Sequence, residues 1–268
     1  MPESIDPTGY GIEEGKAACL AGAYERFFSL LVNKRISLLE LGVWEGASLR
    51  FWRDYFENAT IVGLDRNPPF QINDPQGMIH VYQGYQQDTN LLDRIVYEQA
   101  PDGFDVIIDD CAHIGMFARI SFWHLFQNHL KPGGLYCIED WGTGYFPWRK
   151  CPDAGYYKAK SQLISNKDRL FIRLVMWLSD AFPSLPSLVA ITFRLFNRSK
   201  IRSHERGMVG FIKELVDAYA LGTIAIPRSG SGRYLLYGIS QLHITQGVIY
   251  IFKSAEPPPN SPADSISA

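Results

Sequence analysis

Residues 37–46 read Ser-Leu-Leu-Glu-Leu-Gly-Val-Trp-Glu-Gly, an apolar run closed by one glycine and followed, after three residues, by another. A run this rich in leucine on both faces suits a strand buried inside a parallel sheet. Glycines just past its end let the chain turn sharply into a helix and let a ligand approach the backbone. The stretch therefore predicts a strand over 37–43 (SLLELGV), a tight turn, and a helix over 47–56.

Outward from this turn the same alternation repeats. Further strand-like runs lie at 60–65 (TIVGLD), 79–84 (IHVYQG), 104–110 (FDVIIDD) and 135–140 (LYCIED), with helical patterns at 89–98 and 116–130 between them. Short apolar runs alternating with helices are the signature of βαβ units. Lys131-Pro132-Gly133-Gly134 is expected to stop the last of these helices and turn the chain into the next strand. Later, 210–219 (GFIKELVDAY) predicts a helix with Phe211, Leu215 and Val216 on one apolar stripe. Runs at 237–244 and 247–252, joined through Thr245-Gln246, predict an antiparallel hairpin at the sheet edge. The fold class is α/β, a Rossmann-like, doubly wound, mostly parallel sheet in one domain over 1–255. A helical insertion covers 145–203, and a Pro/Ser-rich tail from 256 to 268 is expected to be disordered.

Composition bounds the function. The chain has 268 residues and a net charge of 26 − 28 = −2, so it carries no basic excess of the kind nucleic acid requires. The first residues, MPESIDPTGYGIEEGK, hold no apolar core of a secretory signal, and Cys19, Cys111, Cys137 and Cys151 form no CxxC pair. A cytoplasmic location is the resulting expectation. Within the insertion, 174–193 is mostly apolar but is interrupted by Asp180, Pro183 and Pro186. It reads as two short helices forming a lid or an oligomer contact, with membrane-surface association as the lesser alternative.

The first turn suits a nucleoside. Asp65 ends the second strand 19 residues after Gly46, where an acid can accept both ribose hydroxyls. Trp44 stands where a dinucleotide fingerprint would have its second glycine, which favours a ligand without a pyrophosphate. S-adenosylmethionine fits: Gly42 and Gly46 shape the turn, and Glu40 is placed to help hold the amine. Gln86 and Asp88, after the third strand, are candidates for the adenine side, although Asp88 reads equally well as a helix cap.

Asp109-Asp110 and Glu139-Asp140 close the fourth and fifth strands, whose carboxyl ends share one crevice. Converging carboxylates need a counter-ion, and a hard divalent cation supplies it. Asp110, Glu139 and Asp140 are the candidate ligands. Asp109, grouped with the cofactor side, is expected to turn away as a structural partner because neighbouring strand residues face opposite ways. His113, on the loop opening the next helix, is the candidate base for a substrate hydroxyl. Cys111 and His113 lack a second Cys/His pair, which argues against zinc there. His124 and His129 have no chemical neighbour in sequence and read as structural. Trp141, Tyr145, Phe146 and Trp148 are candidates for an acceptor wall or for packing.

LLELGVWEGASLRFW, IVGLD, FDVIIDDCAHIG, LKPGGLYCIEDW and GMVGFIKELVD together closely resemble the metal-dependent sugar O-methyltransferases of the macrocin and mycinamicin type. Enzymes described as cephalosporin hydroxylases and rhamnosyl O-methyltransferases look similar too. The likeness covers about 36–145 and 204–252. It implies a class I methyltransferase fold, Mg²⁺ on Asp110, Glu139 and Asp140, His113 as base, and Glu40, Gly42 and Asp65 in the S-adenosylmethionine site. It also implies a sugar or glycoside acceptor and natural-product or glycolipid methylation; a homo-oligomer is expected as well. Cys111 and Ala112 replace the family's usual Gly-Ser, and Tyr85 stands where an acid is expected. A metal-independent methyltransferase and a non-catalytic binding protein of the same fold remain as alternatives; a nicotinamide-dependent dehydrogenase is disfavoured by the missing glycine.

Overall fold

Seven strands, β1 (Ile36–Leu41), β2 (Ala59–Asp65), β3 (Ile79–Gln83), β4 (Phe104–Asp109), β5 (Leu130–Glu139), β6 (Ile239–Ile244) and β7 (Val248–Lys253), form one sheet ordered β3-β2-β1-β4-β5-β7-β6. The first five are parallel; β7 runs antiparallel to β5 and pairs with β6 as the closing hairpin. This computed structural model describes residues 6–12, 22, 24–69, 71–145, 207–223 and 238–255. The insertion, apart from its first residue, and the tail lie outside the described residues.

Alternation along each strand builds two cores. On β1, Leu39 and Leu41 face a layer formed by α3 (Thr89–Gln99), α4 (Gly115–Asn128) and α5 (Gly207–Thr223). Ile36 and Leu38 face the other layer, made by α1 (Glu25–Phe28), α2 (Ala47–Tyr55) and Ile12 of the N-terminal segment. Trp52 of α2 is buried among the rings of Tyr24, Phe28 and Phe56, and Phe122 of α4 among those of Phe126, Tyr136 and Phe211. Such aromatic clusters bury large areas and fix interlayer geometry.

Two local expectations are corrected. The Lys-Pro-Gly-Gly stretch does not turn the chain before the fifth strand: α4 ends at Asn128, and the four residues already lie within β5. Leu130 pairs with Phe104, the register then shifts, and pairing resumes at Val106 with Leu135. A proline without an N–H and a glycine at φ +76° are accommodated where the ladder is interrupted. On α5 the buried stripe is Met208, Phe211, Ile212 and Leu215, at helical spacing, while Val216 is exposed. No helix among the described residues is long and apolar enough to cross a membrane.

Candidate active site

The first turn is built by backbone contact between strands. Gly42 has φ +94°, and a Cβ added there would stand 2.1 Å from the carbonyl oxygen of Asp110. The Asp110 N–H in turn donates to the Leu41 carbonyl at 2.9 Å. Only glycine lets the ends of β1 and β4 approach this closely. Gly46, at φ +76°, caps α2. Asp65 locks the turn: its Oδ2 accepts from the N–H groups of Val43 at 2.9 Å and Trp44 at 3.2 Å, and its Oδ1 from that of Asn67 at 2.7 Å.

A cavity of about 370 Å³ opens above, lined by Gly42, Trp44, Asp65, Arg66, Gln86 and Asp110 among others. A second, of about 410 Å³, lies between the turn and the N-terminal segment, and Trp44 and Asp110 border both. Of the candidates on the cofactor side, Gly42, Asp65 and Gln86 line the first cavity. Glu40 lies fully buried at the centre of the sheet, level with Gly63 and Ile108. Asp88 is exposed and caps α3 by accepting from Leu91 N–H at 3.2 Å, which realises the helix-cap alternative.

Asp109 points into the core, away from both cavities. Its carboxylate accepts from Gln86 Nε2 at 3.1 and 3.2 Å, and the Gln86 Oε1 accepts from Ala112 N–H at 3.2 Å. Burial drives its pKa up to about 6, against the opposing pull of His113 and the Gln86 hydrogen bond. Gln86 thus braces the loop that carries Asp110 to His113. Burial, with the charge of Asp109 beside it, also pushes the Cys111 thiol up to about 12, so it stays protonated and is a poor metal ligand.

Asp110, His113 and Asp140 converge. One ligating atom from each lies within 4.8 Å of the others, with His113 Nε2 3.8 Å from Asp110 Oδ1 and 3.7 Å from Asp140 Oδ2. Among the described residues, the non-glycine positions with positive φ are Trp44, His113 and Asp140, at 51°, 51° and 49°. His113 and Asp140 belong to this centre and Trp44 lines both cavities with Asp110, as expected where backbone strain serves a site. The two carboxylates fit a hard divalent cation, with waters completing the shell, and the His113 imidazole stands beside them.

Glu139 departs from the expected ligand set. It is the last residue of β5, paired with Val248, and its Oε1 accepts the Tyr24 hydroxyl at 2.7 Å in a buried contact. Its side chain shares the sheet face of Leu135 and Cys137, whereas Asp140 has left the ladder, held by its N–H to the Gly247 carbonyl at 2.8 Å. Trp141 is occupied as well, since its indole donates to the Thr245 carbonyl at 3.0 Å and packs against the core. The other candidates for an acceptor wall lie outside the described side chains. Arg66 and Tyr24 were not singled out by the sequence. Arg66 had a usable signal, directly following the strand-end acid; Tyr24 had none, because its partner is 115 positions away.

Sheet order, closing hairpin and strand-end turn together define the class I methyltransferase fold. No protein-family model matches the chain. Mycinamicin VI 2''-O-methyltransferase of Micromonospora griseorubida is 40% identical over 131 residues, 46% of this chain and 32% of that protein. Demethylmacrocin O-methyltransferase of Streptomyces fradiae is 37% identical over the same shares of the two chains. The chain therefore spans about a third of the length of these curated relatives. Among solved structures, the MycE methyltransferase from the mycinamycin pathway, in complex with Mg and SAH, superposes with a TM-score of 0.66 and 26% identity over 94% of this chain and 55% of that one. The likeness to macrolide sugar O-methyltransferases inferred from the motifs is thus found in both sequence and structure.

Proposed function

We propose that the chain carries an S-adenosylmethionine-dependent, Mg²⁺-assisted O-methyltransferase activity toward a sugar hydroxyl of a glycosylated natural product or glycolipid. The observation behind it is the convergence of Asp110, His113 and Asp140, with Asp110 also lining the cavity that the Gly42 turn and Asp65 border. The names of the relatives support the same reaction. S-adenosylmethionine would supply a methyl already activated on a sulfonium, and Mg²⁺ would act as Lewis acid and template for the acceptor hydroxyl.

The chain's own residues do the rest. Gly42, Gly46 and Asp65 form the nucleoside turn, Gln86 braces its far wall, and Glu40 sits beneath the end assigned to the amine. Asp110 and Asp140 would hold the ion, while Glu139, the third ligand expected from the sequence, accepts the Tyr24 hydroxyl instead. His113 takes the proton from the acceptor hydroxyl, and alignment accounts for much of the remaining barrier. We also take the working unit to be a cytoplasmic homo-oligomer; light scattering on the purified chain tests the assembly.

Calorimetric titration with S-adenosylmethionine and with NAD, each with Mg²⁺ and with EDTA, tests the class. Labelled methyl transfer to a panel of glycosides tests the reaction. Binding of S-adenosylmethionine, and transfer that stops in EDTA and returns with Mg²⁺, is the expected result; binding of NAD alone overturns it. The Tyr24–Glu139 hydrogen bond favours one second reading, metal-independent transfer with His113 as sole base. Activity surviving complete chelation would establish that reading.

A further inference from the structure

At the opposite end of the sheet, three side chains meet that are far apart in sequence. Asp93 lies on the second turn of α3, His124 on the last turns of α4, and His129 caps that helix. The Nε2 atoms of both histidines reach the same Asp93 oxygen, Oδ1, at 2.7 and 2.6 Å. The two rings stand 5.1 Å apart at 62°, and one ligating atom from each of the three residues lies within 4.8 Å of the others.

Five residues apart on a continuous helix, the two imidazoles would point about 140° away from each other. They converge because α4 ends at Asn128 and His129 adopts φ −130°, ψ −10°, which swings its ring back. That backbone is held on both sides: His129 N–H donates to the Leu125 carbonyl at 2.8 Å, and its carbonyl accepts from Phe104 N–H at 2.8 Å. Asn128 Nδ2 further donates to the His124 carbonyl at 3.0 Å. The histidine side chains are 19% and 18% exposed, so packing limits their freedom, whereas Asp93 is 50% exposed and can shift.

We propose that Asp93, His124 and His129 form a second metal site, selective for a divalent transition ion with the preferences of zinc, that clamps α3 to the α4–β5 corner. Two neutral imidazoles and one carboxylate are a zinc donor set, and two nitrogens disfavour Mg²⁺. Metal–ligand bonds of about 2.0–2.2 Å separate tetrahedral ligands by roughly 3.3–3.6 Å, so the half-exposed carboxylate need withdraw by about 1 Å at most. Both histidines then carry their proton on Nδ1 and offer the Nε2 lone pair. Solvent reaches the carboxylate side and completes the shell. The centre at Asp110 lies beyond the carboxyl end of β4, about 20 Å along the strand from this corner.

The test is calorimetric titration of Zn²⁺ into the full chain in excess Mg²⁺, with H124Q, H129Q and D93N alongside. One equivalent should bind to the wild type, and each variant should weaken it by at least roughly tenfold, the lower end for disturbing a metal's surroundings. At Zn²⁺ about 100 times Kd the wild-type melting temperature should rise by roughly 5–10 °C. Basal methyl transfer should be unchanged in H124Q and H129Q. Zinc affinity unaltered by these substitutions overturns the site. Should the variants not fold, ¹⁵N-histidine spectra of the wild type decide: zinc must move the Nε2 resonances of His124 and His129, and movement of His113 alone overturns it.

Discussion

At the scale of single residues, the centre depends on side chains held in backbone conformations they rarely adopt. His113 sits at φ +51° with its Nε2 between two carboxylates. As the base of the proposed reaction, its replacement by alanine should lower kcat by about 10²–10⁴-fold while leaving S-adenosylmethionine affinity intact. Steady-state rates beside a calorimetric titration separate the two, and an unchanged kcat removes His113 from the mechanism. Gly42 is tested differently. A methyl at φ +94° meets only backbone atoms, those of Asp110 and Cys111, so nothing flexible can yield. G42A should cost more than about 2 kcal/mol in urea unfolding, and it should weaken Mg²⁺ binding by displacing Asp110.

Between elements, two hydrogen-bonded anchors hold the N-terminal part of the chain, one to the sheet and one to α2. Tyr24, just before α1, donates to Glu139 at the end of β5 in full burial. Y24F removes the donor from a buried carboxylate and should destabilise by about 1–3 kcal/mol, read from the denaturation midpoint. The second anchor joins the short turn Pro7–Tyr10 to α2: Asp54 accepts from Tyr10 Oη at 2.9 Å and from Arg53 Nε at 2.7 Å. The Arg53 hydrogen bond, aided by Tyr10, outweighs burial and holds the Asp54 carboxyl below its ordinary 3.8. A depressed folded pKa means stability that is present above 3.8 and is lost as pH falls through the folded value. Comparing D54N with wild type at neutral pH and at about pH 3 should therefore show the gap between them narrowing on acidification.

For the whole molecule, the sheet separates two tasks. Carboxyl ends of β1, β2, β4 and β5 carry the centre assigned to methyl transfer, and the opposite rim carries the Asp93 trio. Phe122 links the layers, packing its ring on Phe126, Tyr136 and Phe211 at 4.9, 4.8 and 5.6 Å. F122A should cost about 3–5 kcal/mol, visible as a lowered melting temperature, because the cavity opens where α4, β5 and α5 meet. Those three elements come from both sides of the 146–206 stretch, so the loss would be felt by the whole fold.

Most of the architecture was legible in the chain. Buried parallel strands must be apolar on both faces, and glycine must stand where backbones touch, so Gly42 and the strand-end acids announce themselves locally. Asp110, His113 and Asp140 were legible for the same reason, since strand ends in such a sheet share one crevice. What local pattern could not reveal is which neighbour each side chain meets. Whether Glu139 turns to the crevice or to Tyr24 depends on a hydroxyl 115 positions away, and the Asp109 partner Gln86 is 23 away. His124 and His129 look idle along the chain, because only the packing of α3 on α4 brings Asp93 between them. Hydrophobic period and turn chemistry are short-range and are written in sequence; hydrogen-bond and ligand geometry depend on angstrom-scale distances that exist only once the layers have packed.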